Sequence, residues 1–320
     1  MIARRALVAV ACLTMAACLA TAPVAASPAP PHPALAGPTL TSPPPTGPAP
    51  ATSAPTSPAP FDPVATANRI DSLLAADDLD AAAALIDHNA TTLPLSRLQL
   101  ARADHALASG ETEAALAAFA LLTGSADTAA RAQLGLGLAH LRLGHEAPAI
   151  VALDAALAAD PSLVRAWVAR GVAADRLRDW SAADGAYGHA LTIDPRSVAA
   201  LVNRGYSNLL RGRLTESASD SAAALAITPK LAVAVNNLRL ARAMQGDYKT
   251  AFAGSTKATL AQDLNTVGFA AMSRGDYGVA ETFFTRAMHL SPQFDKTAWD
   301  NLVYLKQLAH RPVDPGAPLR

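Results

Sequence analysis

In RGDYGVAETFFTRAMHLSP, residues 274–292, Ala280, Phe284 and Ala287 recur at the spacing of one helical face and the run stops at Pro292. That pattern predicts a single amphipathic helix. It occurs twice. LRDWSAADGAYGHALTIDP, residues 177–195, aligns with it without a gap, placing Asp179 under Asp276, Trp180 under Tyr277, Ala183 under Ala280, Tyr187 under Phe284, Ala190 under Ala287 and Pro195 under Pro292. Pro161, Pro195 and Pro229 are spaced 34 residues apart, and each follows a helical run with Ala-Leu near its end: Ala156-Leu157, Ala190-Leu191 and Ala224-Leu225. A fixed period of this size predicts a stack of similar units.

In that frame units begin at Ser96, Ala130, Val164, Val198, Ala232 and Ala261, and the unit from Ala232 is 29 residues long instead of 34. The eighth place holds Ala103, Gly137, Gly171, Gly205 and Gly268, with Arg239 as the exception in the short unit. The twentieth place holds Ala115, Ala149, Ala183, Ser217, Ala251 and Ala280. Glycine inside a helix costs about 1 kcal/mol relative to alanine, so its periodic return implies a gain from the missing side chain. The expected gain is close approach of two helices, with a larger residue at the twenty-fourth place (Leu153, Tyr187, Phe284) filling the space above. A lone pair of this kind cannot bury its own apolar face; stacking buries it.

The N-terminal third has a different pattern. MIARRALVAVACLTMAAC combines Arg4 and Arg5 with an apolar run and small residues, the layout of a secretory signal over residues 1–17, and the run is too short for a convincing membrane span. Two cleavage readings compete: before Cys18 in Met15-Ala16-Ala17-Cys18, which resembles a bacterial lipobox with Cys18 as the lipidated residue, and after Val24-Ala25-Ala26. Fourteen of the 24 prolines lie between Ser27 and Pro63. Residues 18–61 therefore read as a disordered, polyproline-rich linker, a tether for a folded part over 62–310, with a tail at 311–320.

Composition narrows the chemistry. Net charge is zero and the arginines look scattered, so no basic stripe points to nucleic acid. Aromatics make up 5% and alanine supplies much of the apolar content, which favours helix packed on helix. Both cysteines, Cys12 and Cys18, lie in the leader, leaving no disulfide framework. His140 and His145 are five apart, His289 sits near a helix end, and no metal-ligand spacing emerges. Gly135 and Gly137 form a Gly-x-Gly inside a helix rather than a phosphate loop, and Asp77-Asp78 falls in a turn. These features give no catalytic, cofactor or metal residue.

In the frame AWVARGVAADRLRDWSAADGAYGHALTIDP, the residues Trp167, Gly171, Ala183, Tyr187, Ala190 and Pro195 resemble a tetratricopeptide repeat, as do the neighbouring units over about 96–310. LLAADDLDAAAALID, within 63–95, echoes a further degenerate copy. The resemblance implies an all-α superhelical solenoid of antiparallel helix pairs whose first helices line an inner groove. That groove would carry Leu134, Leu138 and Leu141; Val168, Val172 and Asp175; Val202, Tyr206 and Leu209; Asn236, Leu240 and Ala243; and Asn265, Phe269 and Met272. It would hold a protein partner, an amphipathic helix or apolar segment, with Tyr206 and Phe269 as anchors. The last ninety residues, with their Gly-Asp-Tyr turns, Ser-Pro stop and final helix bearing Trp299 and Asn301, resemble the TadD lipoproteins of tight-adherence (Flp-type) pilus assembly. This second resemblance implies an exported, lipid-anchored adaptor on the periplasmic side of the envelope, at the outer membrane, serving pilus or secretion machinery. The long proline-rich spacer and the 29-residue unit depart from that pattern.

Overall fold

Each unit of the chain carries its own start and stop signals. The computed structural model describes residues 61–291 and 295–309; the leader, Cys18, the proline-rich segment up to residue 60, Pro292 and the tail lie outside them. Fifteen α-helices and no strand occur among the described residues. A leading pair, α1 (Pro63–Ala75) and α2 (Leu79–His88), precedes the units read from the sequence. First helices α3 (Leu95–Ala108), α5 (Ala129–Leu143), α7 (Val164–Leu177), α9 (Val198–Leu210), α11 (Ala232–Met244) and α13 (Leu260–Arg274) alternate with second helices. These are α4 (Thr112–Leu122), α6 (Glu146–Ala159), α8 (Trp180–Ile193), α10 (Leu214–Ile227), α12 (Tyr248–Ala251) and α14 (Tyr277–Leu290), and α15 (Lys296–Ala309) closes the stack.

The helix ends follow local chemistry. Asp62 caps α1 through the amides of Val64 and Ala65, with Pro63 at the first position, where its missing N–H costs nothing. Asp78, Asp179, Ser197 and Asp247 cap α2, α8, α9 and α12 in the same way. First helices tend to end on a left-handed residue at the fifteenth place of the unit, as at Gly144 (φ 76°) and Gly275 (φ 92°), which is glycine's preferred role. Arg178 takes this conformation after α7 with φ 61°.

The crossings within units are packed through the missing side chains. A methyl group on Gly137 would come within 2.5 Å of Leu153, one on Gly171 within 2.6 Å of the Tyr187 ring, and one on Gly268 within 2.8 Å of Phe284. Leu153, Tyr187 and Phe284 are fully buried, as are Ala149, Ala183 and Ala280 at the twentieth place. The α9–α10 crossing differs, because Ser221 stands at the twenty-fourth place and Gly205 faces Asp220, Ser221 and the Ser217 carbonyl at 3.2–3.4 Å. Polar pairing replaces a large apolar side chain there: Arg204 grips the Asp220 carboxylate at 3.0 and 2.6 Å, and Asn208 donates to it at 3.2 Å. The Gly-x-Gly of α5 is also no coincidence. Gly135 admits the Phe119 ring from the preceding unit, whose carbons lie 2.4–2.6 Å from where a methyl group would sit.

The short unit and its odd eighth residue are one feature. With α12 reduced to a single turn, a glycine at place eight would face a void. Arg239 fills it instead, buried, donating to the carbonyl of Ala251 at 3.2 Å and pairing with buried Asp263 of α13 at 2.9 Å. Phe252 and Tyr248 pack edge-on against Phe283 of α14 across the same junction.

Candidate functional site

Successive first helices pack against one another along the stack, whereas successive second helices do not. A stack drawn closer along one edge curves toward that edge, so the first helices form the inner side. The floor of this side is where the sequence placed its groove residues, and most of them are closed off. Leu134, Leu138, Leu141, Val168, Val172, Val202, Leu209, Ala243 and Met272 are buried in clusters that join neighbouring helices. Tyr206 (9% exposed) packs with Leu209, Ala241 and Met244, and Phe269 (7%) packs with Leu302 and Leu305 of the closing helix α15. Both serve the stack first. Asn236, Leu240 and Asn265 keep partial exposure, with Asn236 accepting from Arg239 and Asn265 from Asn301 of α15.

Asp175 is a further departure from an open groove. It is buried and accepts hydrogen bonds from the Tyr187 hydroxyl at 2.8 Å and the Ser207 hydroxyl at 2.5 Å, tying α7 to α8 and to α9. Burial pushes its pKa up to about 6, against the opposing pull of these two donors and of Arg211.

The side chains that stand above this floor are arginines, which the sequence reading took as scattered. Arg97, Arg131 and Arg165 occupy the second place of three consecutive units, 34 residues apart, each in the first turn of its helix. Arg131 joins Asp104 of α3 at 3.1 Å to Asp71 of α1 at 2.7 Å, so three successive first helices meet at one guanidinium. Burial lifts the Asp104 pKa to about 6, opposed by Arg131 and Arg165. Arg97 lies 4.0 Å from Asp127, and a cavity of about 90 Å³ opens between Arg97, Arg131, Asp71, Asp127 and Leu100. Arg165 is exposed, yet enough protein surrounds it, as inside a curve, that lost hydration pushes its pKa down, offset in part by Asp104.

A second arginine set caps helix ends. Arg142 donates to the Leu107 carbonyl and Arg176 to that of Leu141 at 2.5 Å, each reaching the last turn of the preceding first helix, and Arg274 does the same to Met244 at 2.7 Å. A cation at a helix C-terminus meets unpaired carbonyls and the favourable end of the dipole. The recurrence of Arg at 97, 131 and 165 and at 142 and 176 was visible in the sequence, but a search for blocks of basic residues does not register one residue per 34. Among the described residues no group of three or more His, Cys, Asp or Glu is placed to hold a metal ion.

Comparison with known proteins agrees with the repeat. Residues 100–164 and 168–232 match the family model described as "Tetratricopeptide repeat". No curated protein matches. The chain is similar in structure to one in the crystal structure of the APC/C hetero-tetramer Cut9-Hcn1, with a TM-score of 0.63 at 16% identity over 77% of this chain and 50% of that one. It thus spans about half the length of that neighbour. It is also similar to a tetratricopeptide repeat protein from Parabacteroides merdae (TM-score 0.47, 15% identity, 76% of this chain and 96% of that one). A third likeness is to the Pseudomonas aeruginosa pilF structure (TM-score 0.43, 22% identity, 60% and 95%). These identities speak to the fold alone.

Proposed function

We propose, from the premise that the chain is a tetratricopeptide-repeat solenoid and hence a protein–protein interaction scaffold, that it is a non-enzymatic adaptor holding a partner polypeptide along its first-helix face. The observation that carries this is the geometry of that face: arginines from consecutive units stand over a closed apolar floor on the inner side of a curved stack. Proteins of this fold are generally scaffolds rather than catalysts.

The setting we propose is the bacterial cell envelope, with Cys18 as the lipid anchor and the proline-rich segment as a spacer between membrane and solenoid. Acyl chains on one cysteine hold a protein at a membrane far better when there are several than when there is one. The process we propose is assembly of the tight-adherence (Flp-type) pilus, supported by the Gly-Asp-Tyr turns at 246–248 and 275–277 and the closing helix with Trp299 and Asn301. The long spacer and the 29-residue unit favour a second reading, a general envelope scaffold for protein export or polysaccharide secretion. Deleting the gene and scoring surface pili, alongside incorporation of a lipid precursor into wild type and Cys18→Ser, tests both parts. The proposal expects lost pili, restored by wild type, and label in the wild type only. Unchanged piliation overturns the pilus role, and an unlabelled wild type overturns the anchor.

A further inference from the structure

The arginine row is built against the local preference of its helices. α3, α5 and α7 carry no acidic residue in the first turn, and each carries an arginine there instead. The positive end of the helix dipole disfavours a cation at that place by about 0.3–1 kcal/mol. A local rule broken three times at a constant interval marks a functional demand rather than a folding one.

The three arginines differ in what satisfies them. Arg97 has Asp127 and Arg131 has both Asp71 and Asp104, whereas Arg165 makes no hydrogen bond or ion pair among the described residues. Its electrostatic neighbours come from earlier first helices: Asp104 from α3, Arg131 and Arg142 from α5, and Asp71 from α1. Two of these are cations, and the nearest favourable carboxylate is already engaged by Arg131. Across the set, the five guanidinium groups of Arg97, Arg131, Arg142, Arg165 and Arg176 face the four carboxylates of Asp71, Asp104, Asp127 and Glu146, leaving one positive charge in excess. The excess sits at Arg165.

We propose that Arg165 receives the carboxylate of an Asp or Glu side chain in an acidic partner segment laid across the first helices α5, α7 and α9. A guanidinium already stripped of part of its hydration gives up less on pairing, and a planar fork binds a carboxylate through two parallel hydrogen bonds. Arg131 and Arg142 beside it disfavour a basic segment at the same place, so the surplus charge selects the sign of the partner. The inference rests on the first-helix face being the docking face.

A displayed library of random twelve-residue peptides, joined to its carrier through the C-terminus so that Asp and Glu supply the only carboxylates, tests this on the full chain. Selection on the wild type is expected to enrich Asp and Glu at one position by severalfold. The enrichment should vanish on Arg165→Gln, survive in weakened form on Arg165→Lys, and stay intact on Arg102→Gln, whose exposed guanidinium pairs with Asp87 on another face at 3.7 Å. Circular dichroism confirms that each variant is folded. A peptide pool without acidic enrichment, or one whose enrichment persists on Arg165→Gln, overturns the role of Arg165 while leaving the docking face standing. Failure of the folded wild type to select any peptide overturns the docking face and this inference together.

Discussion

Adding one methyl group at Gly171 and one at Gly185 should move stability in opposite directions. Both glycines lie inside helices, α7 and α8 of the same unit. At Gly185 nothing lies within 4 Å of the added carbon, so alanine there collects the usual helix preference and stabilises by about 1 kcal/mol. At Gly171 the added carbon would lie 2.6, 2.7 and 2.9 Å from three carbons of the Tyr187 ring. Carbon pairs settle at about 3.5–4.0 Å, so the ring must retreat by roughly 1 Å. Tyr187 is fully buried and its hydroxyl is bound to Asp175 at 2.8 Å, so retreat also strains that hydrogen bond. Overpacking costs about 1–3 kcal/mol and a weakened hydrogen bond about 1 kcal/mol. After the helix gain of about 1 kcal/mol, Gly171→Ala should destabilise by about 1–3 kcal/mol, and Gly171→Leu by more. Urea unfolding followed by far-ultraviolet circular dichroism, compared at equal m values, gives both numbers. Tyr187→Leu combined with Gly171→Ala should recover part of the loss, because the flat ring is what the methyl group meets. Two alanine variants stabilised alike would refute the close-approach argument for the whole repeat.

The remaining predictions concern buried charge. Arg239→Ala should cost about 3–5 kcal/mol, since it strands the buried Asp263 carboxylate and leaves the Ala251 carbonyl without its donor, whereas Arg239→Met with Asp263→Leu should come within about 1 kcal/mol of wild type; urea midpoints distinguish the two. Asp175, with its pKa raised to about 6, favours the fold when protonated, so its contribution is full at low pH and is lost as pH rises from about 4 through 6. Asp175→Asn should therefore gain about 2 kcal/mol relative to wild type between pH 4.5 and 7.5, measured as the change in the stability difference between the two proteins. A difference that does not vary with pH would show that Asp175 is not held in its protonated form by burial.

The fold was readable because its cause is periodic. Each unit buries the same places, so Gly171 over Tyr187 and Gly268 over Phe284 announce themselves by recurrence, and the helix starts fall within a residue of the expected ones. Exceptions were visible but not their relation: Arg239 and the missing five residues explain one another only once the shortened α12 is seen beside the buried guanidinium. The candidate site was less legible. Which inward-facing side chains stay open depends on how tightly neighbouring first helices close, a quantity set by the curvature of the stack and absent from any one repeat. Leu138 and Val172 face inward by phase yet are buried, while Arg165, one turn away, reaches solvent. The covering of Phe269 by α15 is likewise a long-range contact, joining residues about one repeat apart.

The claim on which the rest depends is that the first-helix face, and not the second-helix face, holds a partner. A photo-crosslinking residue placed singly at Arg165, Asn236 and Leu240 on the first helices, and at Leu121 and Val151, 87% and 71% exposed on α4 and α6, tests it in the cell of origin. The account predicts one adduct of defined mass, with the same protein identified by mass spectrometry, from the first-helix positions and none from the other two. Adducts from Leu121 or Val151 with none from Arg165, Asn236 and Leu240 would contradict it.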